Sequence, residues 1–158
     1  MSRPPSRDFP RIPGLTLIDF VSGLGSVAPT PGAGAAGAVT LALGAACAAK
    51  AFAISARHTG DPALEQAAAR ARTIASMALE GAQRDADDFR GWLKTHDQRS
   101  GAALEADATA LFALAAELEA LIADRRAQTI ASLTSDLDAA QKLLRASVDI
   151  ERRNLAEL

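Results

Sequence analysis

The segment RDADDF, residues 84–89, puts three carboxylates into six residues. Asp85 and Asp88 are three apart, so on a helix they share a face. Asp85 also borders the apolar positions Ala78, Ala82 and Phe89. A carboxyl group at the edge of an apolar stripe is partly desolvated, and its pKa shifts. General acid–base catalysis needs such a group, able to give and take a proton near working pH. Asp85 and Asp88 are therefore the candidate catalytic residues, with Asp85 first. The plain alternative is a solvated acidic face that includes Asp87.

A second candidate begins the segment PTPGAGAAGAVTLALGAA, residues 29–46. Thr30 suits an N-cap and Pro31 the first helical position. Gly32, Ala33 and Gly34 leave the first-turn N–H groups without side-chain cover, and such a terminus attracts anions or carbonyl oxygens. Thr30, Pro31, Gly32 and Gly34 are thus candidate binding residues. The alternative is an ordinary helix start whose glycines allow tight packing. Ser135 and Asp136 raise the same choice further along. There Ser135 is expected to cap the last helix and Asp136 to suit its dipole.

Other chemistries have little support. His58 and His96 lack metal-ligand spacing with each other or with carboxylates, so no metal is expected. His58 reads as a helix C-terminal partner and His96 as a loop residue. Cys47, the single cysteine, sits among alanines with no histidine beside it and reads as an inert buried thiol. No intrachain disulfide is possible, which fits a reducing compartment.

The elements that would position these residues all read as helices. Residues 1–13, with four prolines, read as a disordered or extended arm. A short helix follows, carrying Leu15, Ile18, Phe20, Val21 and Leu24, with Asp19 on its exposed side. The Ala/Gly-rich helix runs from the PTPG start to about Arg57, where Gly60 terminates it. Asp61 caps a long third helix with Pro62 at its first position, ending near His96. A fourth spans about 102–123, with Leu104, Leu111, Leu114, Leu118 and Leu121 on one side. Residues 124–134 either continue it or break it. A fifth runs from about Ser135 and carries Leu137, Ala140, Leu144, Val148, Leu155 and Leu158. The expected fold is all-α, an antiparallel bundle of about five helices around a close-packed Ala/Gly-rich helix.

The totals agree. A chain of 158 residues, 49% hydrophobic and 23% charged, is one ordinary globular domain by length and composition. Residues 14–158 are taken as that domain. Net charge is −2 and no basic cluster with interleaved aromatics occurs, so nucleic acid is not an expected partner. Residues 20–49 carry no charge, which raises a membrane span. Pro29 and Pro31 divide the stretch, alanine and glycine contribute little to insertion, and the flanks lack an aromatic belt. The expectation is a buried helix in a cytoplasmic protein with no membrane partner.

The order of these pieces resembles a known family. Residues 20–35, FVSGLGSVAPTPGAGA, are similar to the opening of the formiminotetrahydrofolate cyclodeaminase and methenyltetrahydrofolate cyclohydrolase family. Members carry S-x-x-P-T-P-G-G-G-S before an Ala/Gly-rich helix. RDADDF resembles the family's acidic E-D-A-x-A-F segment. TSDLDAA, residues 134–140, resembles its later S-D-x-x-x-A-A helix start, and Asn154-Leu155 falls at its Asn-Leu pair. This chain has Ala33 and Ala35 where the pattern has Gly and Ser.

The resemblance implies a helical homodimer acting on one-carbon units carried by tetrahydrofolate. It implies no separate cofactor, since the tetrahydrofolate derivative is the substrate. The implied reaction is hydrolysis of 5,10-methenyltetrahydrofolate to 10-formyltetrahydrofolate, or the related cyclodeaminase ring closure with loss of ammonia. Asp85 falls at the aspartate of that acidic segment and is the acid–base residue expected first; Asp88, its companion on the same helix face, stands where the segment has its second alanine. Thr30, Pro31, Gly32, Gly34, Ser135, Asp136 and Asn154 fall at substrate-binding positions. Asp136 and Asn154 share a helix face about 27 Å apart, so they cannot meet at one reacting carbon. The alternatives are a non-catalytic helical dimer that binds a folate, a pterin or a protein partner, and a dimerisation module without a ligand.

Overall fold

The computed structural model describes residues 11–157. Five α-helices carry them: α1 (Leu17–Leu24), α2 (Ala33–Thr59), α3 (Pro62–Thr95), α4 (Gln98–Arg125) and α5 (Thr134–Leu155). Three short 3-10 turns complete the path, at Ile12–Gly14, Arg126–Gln128 and Ala131–Leu133. No strand occurs among the described residues, and the all-α bundle is as expected. α2 lies at its centre, packed on α3 and α5.

Local chemistry explains most of the boundaries. α2 ends at Gly60, whose left-handed backbone (φ 73°, ψ 14°) suits the residue without a Cβ. Asp61 then caps α3 by accepting from the Ala63 N–H at 2.8 Å. His96 ends α3 in the left-handed region at φ 49°, and Asp97 caps α4 by accepting from the Ser100 N–H at 2.7 Å. α4 is longer at both ends than its leucine spacing predicts. Residues 126–133 break the helical path: Thr129 is buried, and the Ile130 N–H leaves the helix pattern to donate to Ser55 Oγ at 3.1 Å.

Three expectations need correction. α2 starts at Ala33 rather than at Pro31, with Gly32 as its extended N-cap (φ −121°, ψ −158°). Thr30 and Pro31 are both buried just before it, so packing rather than capping fixes them. Ser135 does not cap α5. The Ala131–Leu133 turn runs directly into that helix, leaving Leu133 at the cap position with no side-chain hydrogen bond. The expected arm spans residues 1–13. Residues 1–10 lie outside the described residues, and the last three are docked. Ile12 is buried, its N–H donates to Gln83 Oε1 at 2.7 Å, and Arg11 pairs with Glu80.

The core is built from small residues. Ala35, Ala38, Ala45, Ala48, Leu41 and Phe52 of α2 are buried against alanines and leucines of α3, α4 and α5. Contacts between α2 and α5 run in opposite senses along the two chains. Gly37 meets Glu151, Gly44 meets Ala140 to Leu144, and Lys50 meets Asp136, so the helices are antiparallel. A Cβ at Gly44 would stand 3.1 Å from the Ala140 carbonyl oxygen, so here glycine lets two backbones approach closely. Among the described helices α2 alone is long and apolar enough to cross a membrane. Its most apolar stretch has a mean hydropathy of 1.7, and 56% of it is buried inside the bundle.

α1 is different. Phe20 faces inward, but Leu17, Ile18 and Val21 are 72%, 77% and 58% exposed.

Candidate active site

The first turn of α2 is bare. Gly32 has no side chain to cap it, and Ala33, Gly34 and Ala35 leave their N–H groups without helical partners. The carboxyl of Asp85, from α3, occupies this place. It lies so close to Gly34 that any side chain at position 34 would overlap it. One turn further along the same face, Gly37 makes the same room for the carboxyl of Glu151, from α5. Gly34 and Gly37 therefore hold two carboxyl groups from two different helices against one face of α2.

Asp107 of α4 completes the cluster with Asp88 of α3. Arg84 donates from Nε to Asp107 Oδ1 at 3.0 Å, while Asp107 Oδ2 is buried without a partner. Glu151 is only 3% exposed, and its Oε1 also has no partner. The third buried oxygen left unpaired among the described residues is Ser147 Oγ, one turn before Glu151 on α5. Native proteins rarely leave such atoms unpaired, so three of them on the helices around one end of α2 call for an explanation.

The electrostatics follow from burial and from like charge. Desolvation raises the Asp85 pKa to about 6, assisted by the negative charges of Asp107 and Asp88 and opposed by the Ala35 N–H. Desolvation, followed by repulsion from Asp85 and Asp107, raises Glu151 to about 8. Asp88 is also raised, first by burial and then by the Asp107 carboxyl facing it, against the pull of Arg84. Near neutral pH, Asp85 is largely a carboxylate and Glu151 largely a carboxylic acid. No group of three or more potential ligands among the described residues is arranged to hold a metal ion.

The other expected site residues divide between the two ends of α2. Thr30, Pro31 and Gly32 lead directly into the bare first turn. Asn154 lies one turn past Glu151 and is half-buried; the antiparallel register brings it level with the start of α2. Asp136 instead pairs with Lys50 at 3.1 Å, and Ser135 is exposed beside it. Lys50 is sixteen residues beyond Gly34, so this pair stands about 24 Å away along α2. Next to the acidic cluster, a groove of about 550 Å³ runs between α3 and α4, with Met77, Ala110, Ala113 and Leu114 in its wall and Arg84 on its rim. On the far side of Asp88, Trp92 stacks on Phe89 with ring centres 5.8 Å apart and meets His96 edge-on at 4.7 Å.

The family model described as formiminotransferase-cyclodeaminase matches residues 16–155, nearly the whole chain. The chain belongs to the formiminotransferase-cyclodeaminase family. None of the curated proteins matches it. Membership places this formiminotransferase-cyclodeaminase domain in folate one-carbon metabolism, among enzymes of that chemistry.

Asp107 and Glu151 belong to the cluster although neither lies in a recognisable motif. A local signal existed for each. Asp107 is three residues after Leu104 and four before Leu111, and Glu151 is three after Val148 and four before Leu155. Each carboxylate stands where the apolar stripe of its helix calls for an apolar side chain.

Proposed function

We propose that this protein hydrolyses 5,10-methenyltetrahydrofolate to 10-formyltetrahydrofolate, with the cyclodeaminase ring closure as the related reaction of the same site. The observation that supports this reading most is the seating of Asp85 in the Gly34 notch. It is a proton-exchanging carboxylate at a bare helix terminus, within a cluster rich in negative charge. The methenyl bridge is an amidinium cation and is already electrophilic. Carboxylates stabilise it, and the remaining work is to place a water and move protons.

On this reading water adds to the bridge carbon and Asp85 takes the proton it releases. Asp85 then returns a proton to the leaving nitrogen as the carbon–nitrogen bond breaks. The hydroxyl on the bridge carbon loses its proton to solvent and becomes the formyl carbonyl. Asp88 and Asp107 supply negative charge. Asn154 and the Thr30–Gly34 segment supply polar contacts to the substrate, and the groove beyond Arg84 has the size and apolar wall to take a flat ring system. The substrate is the tetrahydrofolate derivative itself, and no resident cofactor takes part.

The working unit on this reading is a homodimer. A row of exposed Leu17, Ile18 and Val21 on α1 is the kind of surface that a second copy covers.

The test is decay of the 5,10-methenyltetrahydrofolate absorbance, compared with the buffer rate and with an Asp85→Asn variant. Turnover that disappears in the variant is the expected result. No rate above buffer would remove the cyclohydrolase activity.

A second reading, a folate-binding member without turnover, draws on Ala35. This residue is fully buried beside Asp85 and offers a methyl group where the family pattern has a serine hydroxyl.

A further inference from the structure

The glycine notches do more than admit Asp85. Asp85 and Glu151 approach α2 from different helices and sit one turn apart on the same face, at Gly34 and Gly37. Asp85 faces the Ala35 N–H and the positive end of the α2 dipole. Glu151 faces neither. Its Oε1 is sealed from solvent with no donor, Ser147 Oγ one turn away is likewise unpaired, and α2 presents only the backbone of Gly37.

The charged groups around Glu151 are of the wrong sign to hold it ionised. Asp85 faces it from α3 and Asp107 from α4, and Asp88 stands behind Asp107. Arg84 is committed to Asp107. Arg152, the next residue on α5, is exposed and pairs with Asp149 at 3.7 Å.

From this arrangement we infer that Glu151 is a positioning residue for Asp85. The two form a carboxyl pair with one proton and one negative charge between them, the proton on Glu151 and the charge on Asp85. The assignment of the proton follows from the donors: the helix terminus favours a carboxylate at Asp85, and the sealed Gly37 notch favours a neutral acid at Glu151. Its role is to keep a further negative charge from facing Asp85 across the α2 face while Asp85 acts as the base. This inference rests on the proposed acid–base role of Asp85, but the pairing itself can be measured without turnover.

The experiment is a carbon-13 NMR titration of the side-chain carboxyls in the wild type, Glu151→Gln and Asp85→Asn proteins, run alongside pH–rate profiles. A carboxyl that titrates near pH 8 in the wild type is expected to vanish in Glu151→Gln. In Asp85→Asn the same carboxyl is expected to titrate about one pH unit lower or more, because the facing charge is gone. The pH–rate profile of Glu151→Gln is expected to lose its alkaline limb, which a purely structural role would not move.

Two results would overturn the pairing: no wild-type carboxyl titrating above pH 7, or one that ignores Asp85→Asn. If Glu151→Gln does not fold, the wild-type and Asp85→Asn titrations still decide the matter. If all three proteins lack turnover but the titrations couple, the pairing stands and the cyclohydrolase reading fails.

Discussion

Gly37 of α2 lies directly against the carboxyl of Glu151, so a methyl group at position 37 would take the space of Oε1. Gly34 stands in the same relation to Asp85, and Gly44 in a different one, against the backbone of α5. Three glycines on one helix face therefore have two separate jobs.

Alanine substitution should separate those jobs. Gly34→Ala removes a helix-weakening glycine and meets only the carboxyl end of the Asp85 side chain, which can turn aside more easily than a backbone can. Thermal stability should change by less than about 1 kcal/mol, and turnover should fall at least about 10-fold. Gly44→Ala meets a carbonyl oxygen at 3.1 Å and the Leu143 Cβ at 3.3 Å, neither of which yields easily. It should cost about 1–3 kcal/mol in chemical denaturation. A Gly34→Ala protein with full activity would show that Asp85 need not sit in its notch.

Glu151 makes stability depend on pH in an unusual direction. Its folded pKa lies above its ordinary 4.5, so the folded protein binds more protons than the unfolded chain between about pH 4.5 and 8. That contribution is fully present below the unfolded value and is lost as pH rises through the folded one. Asp85 acts with the same sign from its ordinary 3.8 to about 6. Glu151→Gln should therefore match the wild type near pH 4 and exceed it in stability above pH 8, by on the order of 5 kcal/mol. Urea titrations across that range check the crossover; a constant offset would contradict it.

The α1 surface gives a prediction about assembly. Val21→Asp places a charge in the exposed Leu17, Ile18 and Val21 row without entering the core. Light scattering should show a dimer for the wild type and a monomer for the variant, with the same helical circular dichroism. A monomeric wild type would remove the dimer from the proposal.

Position 35 tests the second functional reading. Ala35→Ser introduces the hydroxyl that the family pattern carries beside Asp85. If missing positioning is what limits the chain, the variant should raise the hydrolysis rate about 10-fold or more, since one hydrogen bond to a charged group contributes about 1.5–3 kcal/mol. An unchanged rate would mean that Asp85 is already sufficiently oriented by the Ala35 N–H.

Much of the fold was legible in sequence because its signals are local. Gly60, Asp61 and Pro62 write one turn unambiguously, and the leucines at 104, 111, 114 and 118 write one face of α4. The start of α2 misled because Thr30 and Pro31 have good capping chemistry, yet long-range burial claims them first. The acidic cluster was half legible. Asp85 and Asp88 stand together in the chain and announce themselves. Asp107 and Glu151 are far apart in sequence, and only the packing of α4 and α5 on α2 brings them to the same place. The purpose of Gly34 and Gly37 was hidden for the same reason, since a glycine does not say which side chain will fill the space it leaves.

The placement of Trp92 gives the molecule a built-in optical reporter. It is the only tryptophan, there is no tyrosine to share its excitation, and it lies one helical turn past Asp88, between Phe89 and His96. Its emission therefore reads the end of α3 alone. Loosening of that one turn becomes visible as a colour and intensity change without any label. Global unfolding followed by circular dichroism can then be compared with events at this single corner of the bundle.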